Sequence, residues 1–469
     1  MNMSVSQHQQ PLPEAPPKRS LSLPFIDTEP LFDVQLAFLL LPVWWLLGVE
    51  QFIWPIVFGW ATLKLLYLQR LRVAANPPLR WFAAFLVAVM FSSLFIVEPE
   101  RWFSFVRNLG AFTAGFLVLL IITNRARSWK NIEKTLDVTL ITILVAGSMG
   151  LLAIVGIWRP QIHSFIGNLL PSAVANTSYG QTIVIRTLGG RAWFAGLGNY
   201  FRLSGLFLFS NSYSSALVYT IPFLFYKLSQ KRGLAKIPWG MGILLLLINL
   251  VYTTGRVATI ALLVGAIFFG LLYSKQRRIN RVFMSLGLSM AIVLVLLTAA
   301  LELSGSGSGT GLTDQATEAV GALVFARGSG SFTSRFGVYE ATLSSFMERP
   351  LLGWGTERDH PGLRFPMGSH SEYLAILYRH GLIGFTALAG MLISTWIVTR
   401  PPRSMAAYTK ERTFLCYGRW FIVTAIVNNI MNNPSTDATA YVFLWTIIGL
   451  LVATALQINK QSDDTPATN

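Results

Sequence analysis

The sequence predicts an all-α, polytopic integral membrane protein with about 12 transmembrane helices. Of the 469 residues, 53% are hydrophobic and only 12% are charged, whereas a soluble domain has about 25% charged residues. Uncharged apolar runs of roughly 18–23 residues recur along the chain, which is the length that a helix needs to cross a bilayer. One water-soluble core could not hold so many apolar residues.

The apolar spans begin at Leu31, after a polar, proline-rich segment. Residues 1–30 contain no apolar run followed by a small-residue cleavage site, so we expect a disordered cytoplasmic tail and no signal peptide. The predicted transmembrane domain covers residues 31–457, and a second cytoplasmic tail covers 458–469. The twelve predicted spans are 31–48, 51–68, 80–97, 104–123, 136–157, 203–226, 237–253, 256–273, 282–301, 371–398, 414–432 and 438–457.

The basic residues orient these spans. The five connections that follow the even-numbered spans up to the tenth, together with Arg80 at the start of the third span, contain 19 of the 37 Lys and Arg residues. Short connections on the other side, such as 433–437, contain almost none. Because Lys and Arg accumulate on the cytoplasmic side, both termini are predicted to be cytoplasmic. The net charge of +16 is therefore explained by the membrane topology, and we expect no nucleic-acid partner. The two long connections, 158–202 and 302–370, face outward, the second just before the tenth helix.

The outer connections contain arginines and no lysine. The planar guanidinium matches phosphate and carboxylate geometry, so this composition favours recognition of an anion, although loop solvation or contact with lipid phosphates explains many of these residues equally well. These arginines are Arg159, Arg186, Arg191, Arg202, Arg256, Arg327, Arg335, Arg349, Arg358 and Arg364.

Candidate chemistry concentrates in three outer segments. TTGR (253–256) places Arg256 at the mouth of the eighth span, and the second outer loop contains SRFGVYE (334–340) and PLLGWG (350–355). GSHSEYL (368–374) places His370 where this loop enters the tenth span. An imidazole with an ordinary pKa near 6.5 can act as a general base. The alternative is that His370 only caps the helix or hydrogen-bonds the loop.

Arg379 lies about two turns inside the tenth span, where exposure to lipid would be costly. We therefore expect it to face the interior of the bundle. Glu372 lies on the same helical face, so the two residues form a structural pair or extend the site. The single cysteine excludes an internal disulfide and a thiolate metal cluster, and no HExxH, GxSxG or P-loop motif is present.

Four segments, in chain order, resemble the O-antigen ligase and polymerase superfamily. HSEYLAILYRHGLIGF (370–385) resembles its His-[Asn/Ser]-x-[Tyr/Phe]-Leu…Gly-Leu-Ile-Gly signature, and RLSGLFLFSNSYSSAL (202–217) its Arg-x-x-Gly…Asn segment. TTGRVATIALL (253–263) resembles its [Ser/Gly]-Arg helix start, and SRFGVYEATLSSFMERPLLGWG (334–355) its Ser-Arg…Pro-Leu-x-Gly-x-Gly stretch. Ser371 replaces the commoner asparagine.

The resemblance implies an inverting, metal-independent glycosyltransferase of the GT-C type in the bacterial cytoplasmic membrane, with no cofactor. Its donor would be a glycan on undecaprenyl diphosphate, in lipopolysaccharide or exopolysaccharide synthesis. Its acceptor would be another glycan, lipid A-core or, as in some members of the superfamily, a protein side chain. By motif position, His370 would be the catalytic residue, Arg256 and Arg335 would bind the diphosphate, and Arg202 would assist. Glu372 and Arg379 would support the site.

A multi-span solute (inorganic carbon) transporter is the alternative, because twelve spans is a common transporter count. Transporters usually show an internal repeat and ionisable residues near the midplane. No convincing repeat is found here, and the candidate site lies at the outer surface.

Overall fold

The computed structural model describes residues 29–68, 73–194, 198–273, 329–363, 365–401 and 410–463. These ranges are mainly helical, and eight of their helices are long and apolar enough to cross a membrane. This confirms the polytopic, helical class. The α-helices are α1 (Phe32–Leu39), α2 (Leu41–Leu47), α3 (Ile53–Leu68), α4 (Pro77–Ser92), α5 (Glu100–Arg125), α6 (Trp129–Ile154), α7 (Ser172–Ala175), α8 (Ser178–Val184), α9 (Ser210–Gln230), α10 (Ile237–Thr253), α11 (Arg256–Tyr273), α12 (Ser329–Phe346), α13 (Glu372–Val398), α14 (Lys410–Met431) and α15 (Ala438–Asp463).

Two small antiparallel ladders lie in the first long connection. Strand β1 (Ile162–His163) pairs with β2 (Ile185–Arg186), and β3 (Gly189–Phe194) pairs with β4 (Gly198–Leu203). The connection predicted over 158–202 therefore has its own local structure. The second connection, predicted over 302–370, contains helix α12.

Three predicted spans differ from the structure or fall outside it. The first, 31–48, is two short helices that meet at Leu40–Leu41, because Pro42 in the first turn of α2 has no N–H to continue α1. The sixth was expected from residue 203, but its helix begins at Ser210 because β4 extends to Leu203. The ninth, 282–301, lies outside the described residues.

Helix α15 forms the centre of the bundle. In the most apolar stretch of its residues 438–460, 94% of the residues are buried inside the protein. In the corresponding stretch of α13, 33% are buried. It packs on α5 and α9, while α13 packs on α4 and α11 packs on α14. The outer helices leave many apolar side chains exposed, such as Ile56 and Leu271, as expected for helices that face lipid.

The connections predicted to face outward lie at one end of this bundle. The α14–α15 turn joins two of them, because Asp437 accepts hydrogen bonds from Gln51 Nε2 (3.1 Å) and from the backbone N–H of Leu208 (2.9 Å). The same turn contacts the start of α13, where Ser435 Oγ donates to Glu372 Oε2 (2.9 Å). We call this the loop end; its outward orientation stays a prediction from the basic residues.

Candidate active site at the loop end

His370 lies in the last turn before α13. The hydroxyl of Ser371 caps that helix by accepting from Leu374 N (3.3 Å), as a serine at the N-cap commonly does. His370 itself has a positive φ of 64°, and Gly368 has a φ of 74°. A non-glycine residue rarely adopts this conformation, so its neighbours must hold His370 there.

Helix α12 supplies part of that support. Tyr339 Oη donates to the backbone carbonyl of His370 (3.2 Å), and Gly368 N donates to Thr342 Oγ1 (3.0 Å). The ring of Phe365 meets the imidazole edge to face, with centroids 4.4 Å apart. The contacts fix both the backbone and the ring of His370.

The environment of His370 keeps its imidazole neutral. Burial and then the positive charge of Arg335, which lies one turn before Tyr339 on α12, lower the pKa of His370 from 6.5 to about 4. Its Nε2 atom is buried and has no hydrogen-bond partner among the described residues. At neutral pH the ring is therefore uncharged, and its buried Nε2 makes no hydrogen bond with the described residues.

Arg202 and Arg256 come together at a second place, the α10–α11 turn. Arg202 donates from Nε to the carbonyl of Thr253 (3.1 Å) and from Nη2 to Asn211 Oδ1 (2.6 Å). Arg256 begins α11 three residues after Thr253 and is exposed. The absence of a side chain at Gly255 lets this turn approach α9, since a Cβ would lie 2.6 Å from Ser214.

The structure thus groups the candidate residues in two sets. Arg335 acts on His370, and Arg202 contacts the turn that carries Arg256. In the part of the chain that the structure describes, no hydrogen bond or ion pair joins one set to the other.

Arg379 faces the interior, as expected, and is 1% exposed. Its ion-pair partner is Glu357 of the second long connection, with Nη2 3.3 Å from Oε2, and not Glu372. Glu372 instead accepts from Ser435. The same Nη2 of Arg379 donates to the carbonyl of Gly368 (2.6 Å), two residues before His370.

Helix α13 is broken at Gly381, which has φ 65° and ψ −169°. The segment PLLGWG (350–355) packs against this break, and Leu382 N donates to the carbonyl of Pro350 (2.8 Å). A Cβ on Gly381 would lie 2.1 Å from the carbonyl oxygen of Leu351. The PLLGWG segment (350–355) and the start of the second half of α13 at Gly381 therefore contact each other. The segment accepts hydrogen bonds from backbone N–H groups that the break leaves without a helical partner.

Residues 241–389 match the family model described as O-antigen ligase. The match covers about a third of the chain, and this segment is similar to O-antigen ligases. Comparison with curated protein sequences gives no match. The match supports the O-antigen ligase and polymerase superfamily predicted from the motifs, and it makes a glycosyltransferase-like activity in membrane glycan synthesis the expected class.

The matched segment contains Arg256, Arg335, His370, Glu372 and Arg379, and Arg202 precedes it. Glu357 also lies within the segment, but the sequence does not predict its role, because a single carboxylate in a long connection carries no periodic or spacing signal.

Arg107, on α5, was missed as well. Its Nη2 lies 2.7 Å from Glu357 Oε1. Of the arginines predicted to face outward, Arg186 has a different role, since it is buried and paired with Glu50.

Proposed function

We propose that this chain is a glycosyltransferase of the O-antigen ligase or polymerase type. It transfers or polymerises a glycan carried on undecaprenyl diphosphate, at the outer face of the cytoplasmic membrane, with both termini in the cytoplasm. The family segment and the eight apolar helices support the class and the membrane setting. The proposal also includes the lipid-linked donor, inversion at the anomeric carbon, the GT-C type of fold and the side of the membrane on which transfer occurs.

The observation that carries the proposal is the state of His370. A general base must be unprotonated and must have a free acceptor within reach of the proton that it takes. His370 meets the first condition through its lowered pKa, and its Nε2 has no partner among the described residues.

The reaction follows as a single displacement. The acceptor hydroxyl gives its proton to His370 Nε2 while its oxygen forms a bond to the anomeric carbon. The bond from that carbon to the diphosphate oxygen breaks, and the diphosphate leaves with the electron pair. Attack opposite the leaving group inverts the anomeric centre.

Guanidinium groups stabilise the charge that develops on the leaving diphosphate, since fixed positive groups are most effective where charge appears. Arg335 lies beside His370 and Arg256 at the α10–α11 turn, and we assign the diphosphate to these two. Arg202 supports the turn through Thr253. This arrangement supplies the charge without a metal ion, so we propose a metal-independent reaction.

The test is release of undecaprenyl diphosphate from a lipid-linked oligosaccharide by the purified protein in nanodiscs. We expect release to persist in EDTA. Release without another acceptor, together with a ladder of longer glycans, identifies a polymerase, and release only after addition of lipid A-core identifies a ligase. A folded protein that releases no diphosphate with lipid-linked donors, with or without acceptor, contradicts the proposal.

A further inference from the structure

We propose that the Glu357–Arg379 ion pair is a positioning unit for His370. This inference rests on the proposed function, because it assigns a role in the same reaction to two residues that do not touch the substrate. Arg379 contacts the loop that carries His370 at Gly368, and Glu357 pairs with Arg379.

Arg379 acts on the His370 loop through a single atom. Its Nη2 bridges the carbonyl of Gly368 (2.6 Å) and Glu357 Oε2 (3.3 Å). Its Nε and Nη1 are buried and have no hydrogen-bond partner among the described residues. The orientation of the guanidinium therefore depends on these two contacts. If the contact with Glu357 is lost, the guanidinium is no longer held in position to donate to Gly368.

Gly368 is a sensitive place for such a contact. Gly368 and His370 both have positive φ values, a conformation that costs free energy for a residue with a side chain and persists only where neighbours impose it. The Gly368 N–H is already held by Thr342 on α12. Arg379 holds the carbonyl of the same residue, so the loop is fixed from two sides.

Glu357 connects this arrangement to the rest of the bundle. Its carboxylate also accepts from Arg107 Nη2 (2.7 Å) and Asn108 Nδ2 (3.3 Å) on α5, and from Thr356 Oγ1 (2.8 Å). Burial alone would raise the pKa of Glu357, but the charges of Arg379 and Arg107 hold it well below its usual range. The Glu357 carboxylate is therefore ionised at neutral pH. Its negative charge keeps the Arg379 guanidinium in place.

The first variant to measure is Glu357→Gln, which keeps the size of the side chain and removes its charge. We expect kcat for diphosphate release to fall about 10–100-fold, since small displacements of a reacting group are costly, with the KM for the lipid-linked donor within about threefold of wild type. Glu357→Asp should recover part of kcat, because the charge returns at a shorter reach.

Arg101→Gln is the matched control. Arg101 also holds the second long connection, by donating to the carbonyls of Trp354 (2.6 Å) and Thr356 (3.3 Å), but its described contacts do not include Gly368. Its replacement should lower thermal stability and leave kcat per folded molecule within about threefold of wild type. If Glu357→Gln behaves like this control, the positioning role is wrong.

Arg379→Lys covers the case in which Glu357→Gln fails to fold. Lysine keeps the positive charge for Glu357, but its side chain is one atom shorter than the path to Nη2 and its ammonium cannot hold both contacts in the same geometry, so we expect a folded protein with reduced kcat. Full kcat in a folded Arg379→Lys variant would overturn the inference.

His370→Ala separates the two proposals. If the His370→Ala protein keeps its activity, the general base is contradicted. If it loses activity while Glu357→Gln and Arg379→Lys keep theirs, only the positioning unit is contradicted.

Discussion

Two arginine–carboxylate pairs lie at the loop end, and they differ in what surrounds them. Arg186 and Glu50 are both almost fully buried, and the pair attaches the first long connection to the α2–α3 turn. Arg379 and Glu357 attach the second long connection to α13. The chemistry is the same, but of these two pairs the second contacts Gly368, two residues before His370.

The backbone shows the same difference. Around the second pair, a residue with a side chain, His370, has a positive φ of 64°, whereas beside the first pair the positive φ of 75° belongs to a glycine, Gly48, which adopts it at little cost. Around the first, Glu50 and Gln51 form ordinary contacts with the α14–α15 turn, such as the bond from Gln51 to Asp437. Backbone strain tends to collect at functional sites. This difference agrees with a folding role for the first pair and with the positioning role that we propose for the second.

The largest expected effect is on stability, from Glu50→Ala. The change leaves the buried Arg186 guanidinium without its carboxylate, and removal of one partner from a buried pair costs about 3–5 kcal/mol. Thermal unfolding in detergent measures the loss. Activity per folded molecule should stay near wild type, because the described contacts of this pair do not extend to His370. A stable Glu50→Ala protein with low activity would reverse the roles that we assign to the two pairs.

Gly381→Ala should have the next largest effect. The conformation at this break is suited to glycine, and the backbone strain alone costs about 1–3 kcal/mol, to which the contact with Leu351 adds. The matched control is Gly240→Ala in α10, where a Cβ meets no atom within 4 Å; it should stay within about 1 kcal/mol of wild type. Equal stability of the two variants would mean that the break in α13 is not held by the loop.

The smallest expected effect is a shift in pH dependence. Because the pKa of His370 is lowered to about 4, kcat/KM should stay level as pH falls through 6.5 and should decline only near pH 4. Arg335→Gln removes a positive charge that disfavours protonation, so the midpoint of the acid limb should move upward, whereas Arg335→Lys should leave it low. An acid limb centred near 6.5 in the wild-type protein would show that the environment does not perturb His370.

The sequence predicted the helical membrane class, which the structure confirms, because apolar runs of membrane length are local features. Short motifs are local as well and indicated the candidate residues, whose roles stay predictions. It did not predict the break between α1 and α2, where a single proline interrupts an otherwise apolar run. It also missed the role of Glu357, since the contacts from Glu357 to Arg107 and Arg379 join residues 250 and 22 positions apart. Such contacts depend on tertiary packing, which no local pattern encodes.

The most direct test of the account is single-turnover release of undecaprenyl diphosphate by wild-type protein and by His370→Ala in the same nanodiscs. Thermal unfolding must first show that the variant is folded. We predict that the release rate falls about 10²–10⁴-fold, which is the usual contribution of a positioned general base. A folded His370→Ala protein that releases the diphosphate at the wild-type rate would contradict the central claim.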